Sequence, residues 1–394
     1  APKGFLASGL NAGIKNQTKK DMAMVFSSTP CAAAGVFTTN LVKAAPVKWD
    51  KEIVTTSPYV QAVVVNSGIA NACTGAEGLG YCADTAAEAA AALNIPKTAV
   101  LVASTGVIGK QLPIDKIKSG VTALSKVLGS SREDAKLAAE AIMTTDTKSK
   151  EVACTLELDG KQVTVAGMCK GSGMIHPNMA TMLGFITCDA NISSDTLQLA
   201  LSQNVEKTFN QITVDGDTST NDMVLVMSNG CTLNEEILPG TPEFDKFSKM
   251  LNFVMQELAK KIAKDGEGAN KLIQVDVINV PNALDARMMA KSVVGSSLVK
   301  TAIFGEDPNW GRILAAVGYA GVDVPVDNVD IMLGGLPVML ASSPVTFDDE
   351  EMKDIMHEDE VTITVDLHAG HEKGTAWGCD LSYDYVKINA LYHT

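Results

Sequence analysis

The chain has 394 residues, a formal net charge of -14, 46% hydrophobic residues and 20% charged ones, a composition that suits a globular protein with a substantial core. The acidic balance, with no dense Lys/Arg block, argues against a nucleic-acid footprint, and no apolar run approaches the eighteen or so residues that span a membrane. The eight cysteines form no CxxC pair and the five histidines no HExxH pattern, so buried free thiols are expected and a metal site is not.

The opening segment, APKGFLASGLNAGIKNQ, lacks the basic-then-apolar layout of a signal peptide, and the cytoplasm is the expected location. DMAMVFSS and AAAGVFTT read as two strands, followed by the strand QAVVVNS, which ends in the amide-rich turn NSGIANACTG (66–75). An alanine-rich helix, ADTAAEAAAALNI, leads to the buried-type strand TAVLVA and then to Ser104-Thr105-Gly106-Val107-Ile108-Gly109. A glycine-bearing turn at a strand end either presents backbone N–H groups to an oxyanion or serves as a plain loop. It lacks the lysine-serine ending of a P-loop.

Two amphipathic helices, PIDKIKSGVTALSKVL and SREDAKLAAEAIM, run into Thr144-Thr145-Asp146-Thr147. The stretch KGSGMIHPNMATMLGFITCDA (170–190) opens as a glycine-bearing loop, bends at His176-Pro177, and turns apolar at Thr181. Two readings of it stand side by side. It is a loop between neighbouring strands KQVTVAGMCK and TMLGFITCDA, or a site where the Thr181 hydroxyl attacks the Ala180 carbonyl, cutting the chain and leaving a nucleophile beside its own amine.

A capped helix, SSDTLQLALSQNVEKTFNQI, delivers the chain to VDGDTSTND (214–222), read as turn and hydrogen-bond chemistry because EF-hand spacing is absent. The long helix PEFDKFSKMLNFVMQELAKKIAKDG stops at Gly266-Glu267-Gly268, where a carboxylate is pinned between glycines. LIQVDVINV is a strand, and NALDARMMAKSVVGSSLVKTAIFG reads as helix then strand. After the turn GEDPNWGR, the strands VTITVDL and GTAWGCDLSYDYVKINALYHT finish the chain. No linker and no repeat marks a domain boundary.

NSGIANACTG, STGVIGKQLP, IMTTDT, KGSGMIHPNMATMLGFITCDA, VDGDTSTND, AKDGEGANK, FGEDPNWGRI and NALYHT together resemble the ornithine acetyltransferase family of arginine biosynthesis, in that family's order and over essentially the whole chain. One departure is Ile69, where the family usually has asparagine. The resemblance implies an α+β fold, a four-layer αββα sandwich related to N-terminal-nucleophile hydrolases. It also implies self-cleavage between Ala180 and Thr181 into an α chain (1–180) and a β chain (181–394) that stay associated, commonly as α2β2. Neither half stops its apolar patterning, so separating them would expose core.

By the same resemblance, acetyl passes from N-acetylornithine to glutamate through an ester on Thr181, with Thr105 and the Gly106 N–H holding the oxyanion. Lys170, Glu267, Asn389, Thr394 and a threonine of TTDT, either Thr144 or Thr147, bind substrate. No cofactor is required, and acetyl-CoA enters only as a possible second acetyl donor. Lys170 is a cation suited to lowering the pKa of the freed Thr181 amine. The alternatives are a hydrolase of related fold, in which water takes the acyl group, and an uncleaved binding protein with an inert Thr181.

Overall fold

The computed structural model describes residues 1–176 and 182–391. The strand Met22–Phe37 organises the first half of the fold. Its sequence divides into two apolar runs, yet the backbone continues as one strand, with irregular pairing between Phe26 and Cys31. Pro30 lies in that interval and has no N–H to give to a ladder, which is where a strand can bend. Before the bend the strand pairs with Phe5–Leu10 and Val60–Ile69; after it, with Met223–Ser228.

The bend turns one run of strands into two facing layers. Ala23, Val25, Val63, Val65, Leu101 and Ala103 share a single core with Met168, Phe185, Leu225 and Met227 from the far half of the sheet. The opposite faces carry the alternate residues. Met22, Met24, Val64 and Val102 pack with residues of the helices Gly75–Leu93 and Ile114–Ser125. Ala34, Val165, Ile186 and Val226 pack with Ser194–Val205 and Pro242–Lys264. Period-two alternation with both faces apolar thus yields helix, sheet, sheet, helix, the expected αββα sandwich. Lys161–Lys170 and Leu183–Cys188 are neighbours, as read from the sequence, and the structure pairs them antiparallel.

A second sheet follows, ordered Ser343–Pro344, Leu336–Leu340, Asp330–Leu333, Glu360–Asp366, Leu272–Val280, Glu372–Cys379 and Ile212–Thr213. Its inner face forms a separate core with helices Ala283–Gly295, Trp310–Gly318 and Asp349–His357. Leu272, Trp377 and Cys379 instead join the core beneath Pro242–Lys264, which fastens this sheet to the sandwich.

Two expectations are corrected here. SSLVKTAIF is the helix Ser297–Phe304, not a strand: the Ser296 hydroxyl accepts the Val299 N–H, and Val299, Ala302 and Ile303 bury one helical face despite their β-branched content. The chain after Cys379 is likewise not a strand but the helix Tyr383–Leu391. The cysteines are free thiols; five are buried, and Cys73 is exposed. Among the described residues no helix is long and apolar enough to cross a membrane.

Candidate functional site

Strand parity fixes what lies at one mouth between the facing sheets. Leu101 and Ala103 point into the inner core, so Thr105, two residues on, points the same way at the strand's end; Met168 does the same for Lys170. Both line a cavity of about 150 Å³, together with Gly106, Thr144, Glu267 and Asn389. Ile175 and Met182, on either side of the segment 177–181, line it as well. Ala180 and Thr181, and likewise Thr394, lie outside the described residues.

Gly106 has φ +129°, and a Cβ there would sit 2.2 Å from the Gly68 carbonyl carbon. Only glycine permits this approach of two strand ends. The Thr105 hydroxyl takes up no hydrogen bond among the described residues, while Lys170, 8% exposed, has no hydrogen-bond or ion-pair partner among them. Among the described residues, a hydroxyl and an ammonium without hydrogen-bond partners thus face one small cavity.

The loop after the helix Arg132–Ala141 is fastened by a buried ion network. Lys150, 1% exposed, places Nζ 2.6 Å from Asp146 and 2.5 Å from Asp265. Asp146 also accepts the Gly171 N–H at 2.8 Å and the Thr144 N–H at 3.0 Å. Burial works against ionising Asp146, but the Lys170 and Lys150 charges outweigh it and hold the carboxyl well below its usual range. Lys15 adds a hydrogen bond to the Met143 carbonyl at 2.5 Å.

These ties separate the two candidate threonines. Thr144 lines the cavity, beside Thr145. Thr147 does not: its hydroxyl donates to Asp265, and it faces a different cavity of about 610 Å³.

Glu267 is held from two sides. The Asn389 amide donates to it at 2.7 Å, and its own N–H donates to the Ser172 carbonyl at 3.0 Å. Behind the carboxylate stands Gly173, where a Cβ would fall 2.4 Å from it. The helix Tyr383–Leu391 therefore has a purpose in bringing Asn389 to the cavity.

Residues 219–222 also line the cavity, and their part was not visible in the sequence beyond turn chemistry. The Asn221 amide donates to the Ala70 carbonyl at 2.6 Å and the Ser104 carbonyl at 2.8 Å, tying the loop to the ends of two strands. Asp222 is 3% exposed, and its Oδ2 has no hydrogen-bond partner among the described residues. Burial pushes its carboxyl well above the usual range, against hydrogen bonds from Ser219 and the charge of Lys170. A lone buried Asp after a turn carries no distinctive spacing; only the fold shows it to be in the cavity.

The ArgJ family profile matches residues 6–394. The chain belongs to the ArgJ family. It is 73% identical over 394 residues to the arginine biosynthesis bifunctional protein ArgJ of Streptococcus thermophilus, covering 100% of this chain and 98% of the relative. It is 66% identical to the protein of that name from Streptococcus mutans, with the same coverage. The crystal structure of arginine biosynthesis bifunctional protein ArgJ from Bacillus halodurans matches at 52% identity and TM-score 0.52, covering 53% of this chain and 98% of the solved one.

Within this ArgJ-family enzyme, the departure at Ile69 falls on a buried residue that is not among those lining the cavity. The neighbouring turn amides are engaged internally: Asn66 donates to the Ile69 carbonyl at 2.9 Å and Asn71 to the Gly78 carbonyl at 2.9 Å. The turn is thus a rigid wall, with Ala70 facing the cavity. No cluster of three metal-ligating side chains occurs among the described residues.

Proposed function

We propose that the protein transfers acetyl from N-acetylornithine to glutamate in arginine biosynthesis, by way of an acetyl ester on Thr181 exposed by cleavage after Ala180. The observation that carries this reading is the cavity itself. Six separate segments deliver Thr105 and Gly106, Thr144, Lys170, Met182, Glu267 and Asn389 to one small space between the sheets.

The chemistry assigned to each group follows from its surroundings. Thr105, its hydroxyl uncommitted, and the Gly106 N–H stabilise the tetrahedral oxyanion when the nucleophile attacks the acetyl carbonyl. Lys170, without an ion-pair partner among the described residues and in a protein of net charge -14, is the local cation for the α-carboxylate that donor and acceptor share. Thr144, Glu267 and Asn389 orient the remainder of the amino acid. Because amide is exchanged for amide, no nucleotide is required, and the protein's task is to exclude water while ornithine leaves and glutamate enters. Use of acetyl-CoA as a second acetyl donor belongs to this proposal only as a possible additional reaction.

One observation supports the cleaved form. The Bacillus halodurans chain, covered to 98% by 53% of this one, is about half as long, the size that a cut after residue 180 produces. Incubation with N-acetylornithine alone should release about one ornithine per site in a burst and then slow, with glutamate restoring turnover and yielding N-acetylglutamate. Continuous release of acetate unaffected by glutamate would make water the acceptor and refute the transferase.

A further inference from the structure

Acetyl exchange sets the cavity a problem of charge. The donor carries a cationic δ-ammonium on its side chain, the acceptor an anionic γ-carboxylate, and the same few groups must receive each in turn. A fixed anion beside the side chain would repel glutamate; a fixed cation would repel ornithine. A group that changes its own charge meets both.

Three carboxyls stand in or behind the cavity, and two are committed. Asp146 is held as an anion by Lys150 at 2.6 Å, with N–H donors from Thr144 and Gly171. Glu267 is engaged by the Asn389 amide at 2.7 Å. Asp222 differs: it is among the residues lining the cavity, is 97% buried, and its Oδ2 has no hydrogen-bond partner among the described residues. Such an orphan costs stability whether it is ionised or not, so its retention calls for a function.

On the acetyl-exchange reading, we propose that Asp222 is a specificity-determining residue that accepts a hydrogen bond from the side-chain ammonium of ornithine as a carboxylate and donates one to the side-chain carboxylate of glutamate as the acid. Replacement of one amino acid by the other then moves one proton between Asp222 and solvent. Its surroundings permit both states. Ser219 hydrogen-bonds it from its own loop, and Lys170 is the cation whose field reaches it from the strand Lys161–Lys170. The other charges around the cavity among the described residues are Glu267, the Asp146–Lys150 pair behind it, and Lys15, which interacts with Lys170; on the acetyl-exchange reading the freed Thr181 amine is a further titratable group. Thr38, whose N–H donates to the Asp222 carbonyl at 2.9 Å, adds no charge. Burial pushes the Asp222 carboxyl well above its usual range, which favours the acid, while Ser219 and the Lys170 charge favour the carboxylate.

Isotope exchange separates the two sides of the reaction. Exchange between N-acetylornithine and labelled ornithine reports the cationic side, and exchange between N-acetylglutamate and labelled glutamate the anionic side. In the wild type, apparent KM should fall with rising pH for the first and rise for the second. Asp222→Asn, fixed in the neutral form, should raise KM for N-acetylornithine about tenfold or more, change that for glutamate by less than about threefold, and remove both pH slopes. A pH-indicator dye on the wild type supplies a measurement that needs no variant: glutamate displacing ornithine should take up one proton per site.

Parallel pH profiles, equal KM changes on the two sides, or no proton uptake would overturn the assignment. So would a split that follows Glu267→Gln while Asp222→Asn leaves it intact. Wild-type enzyme that exchanges neither amino acid would instead defeat the acetyl-transfer reading itself, and the two failures are therefore distinct.

Discussion

Lys150 is a point at which removing one side chain should be felt both in stability and in the site. Its ammonium is the hub between Asp146 at 2.6 Å and Asp265 at 2.5 Å, with a side chain 2% exposed. Lys150→Met keeps most of the buried stem and deletes only the charge, leaving two carboxylates facing each other. Breaking a buried pair by removing one partner costs about 3–5 kcal/mol. Because Lys170 still acts on Asp146, the lower end, about 3 kcal/mol, is expected at pH 7. The pH dependence has a definite sign. In the wild type Asp146 titrates below its unfolded value, so the stability it contributes is complete above about pH 4 and is lost as pH falls through the folded pKa. In the variant that pKa rises, so the deficit relative to wild type should shrink on acidification from pH 7 to pH 4. Urea unfolding followed by circular dichroism at several pH values measures this. A deficit below about 1 kcal/mol at pH 7, or one constant with pH, would refute the reasoning.

Other outcomes follow from the same geometry. Thr105→Ala should lower acetyl transfer about a hundredfold or more, the usual effect of losing one oxyanion donor, with thermal unfolding unchanged; wild-type turnover would return the Thr105 turn to a plain loop. Thr144→Val should raise KM for both amino acids, whereas Thr147→Val should leave KM unchanged and cost about 1 kcal/mol through the lost bond to Asp265; steady-state kinetics and urea titration distinguish them. Denaturing electrophoresis should give two fragments that co-elute on native size exclusion, the second beginning at Thr181, while Thr181→Ala should remain a single 41 kDa chain. A sole N-terminus, upstream of residue 10, would remove the cleavage mechanism.

The parts of the fold legible in the sequence were those with a sustained period. The helix Pro242–Lys264, capped by Thr241 accepting the Phe244 N–H, and the strand pair Lys161–Lys170 and Leu183–Cys188 appear where the pattern places them. Misreadings occurred where local propensity and tertiary context disagree. In SSLVKTAIF the β-branched residues suggest a strand, but burial on one helical face and the Ser296 cap decide otherwise. The bend in Met22–Phe37 was legible only as a gap between strands, because that the two halves pair with different partners on different layers is a long-range fact. The candidate site was legible as short motifs; their convergence was not. Nothing in the spacing of Thr144 and Thr147 distinguishes them, since the choice rests on Asp265, more than a hundred residues away. Asp222 was hidden for the same reason, its neighbour Lys170 lying on another strand.

The pairing of strands also answers why a chain cut between residues 180 and 181 would remain one molecule. The inner sheet alternates segments from the two sides of that junction. Lys161–Lys170 lies against Leu183–Cys188, with Lys170 opposite Leu183, and Leu183–Cys188 lies against Met223–Ser228. Met223–Ser228 in turn pairs with the second half of Met22–Phe37. The later segment is thus enclosed by strands of the earlier one at both edges, and its side chains Leu183, Phe185, Met223 and Leu225 complete a core that Ala23, Val63 and Leu101 begin. Pulling the fragments apart would break two backbone ladders and expose both faces of a sheet. The site inherits this construction: Thr105, Thr144 and Lys170 precede the junction, and Met182, Asp222, Glu267 and Asn389 follow it. Neither side of the junction alone contains the cavity, so the cavity and the association of the two segments depend on the same strands.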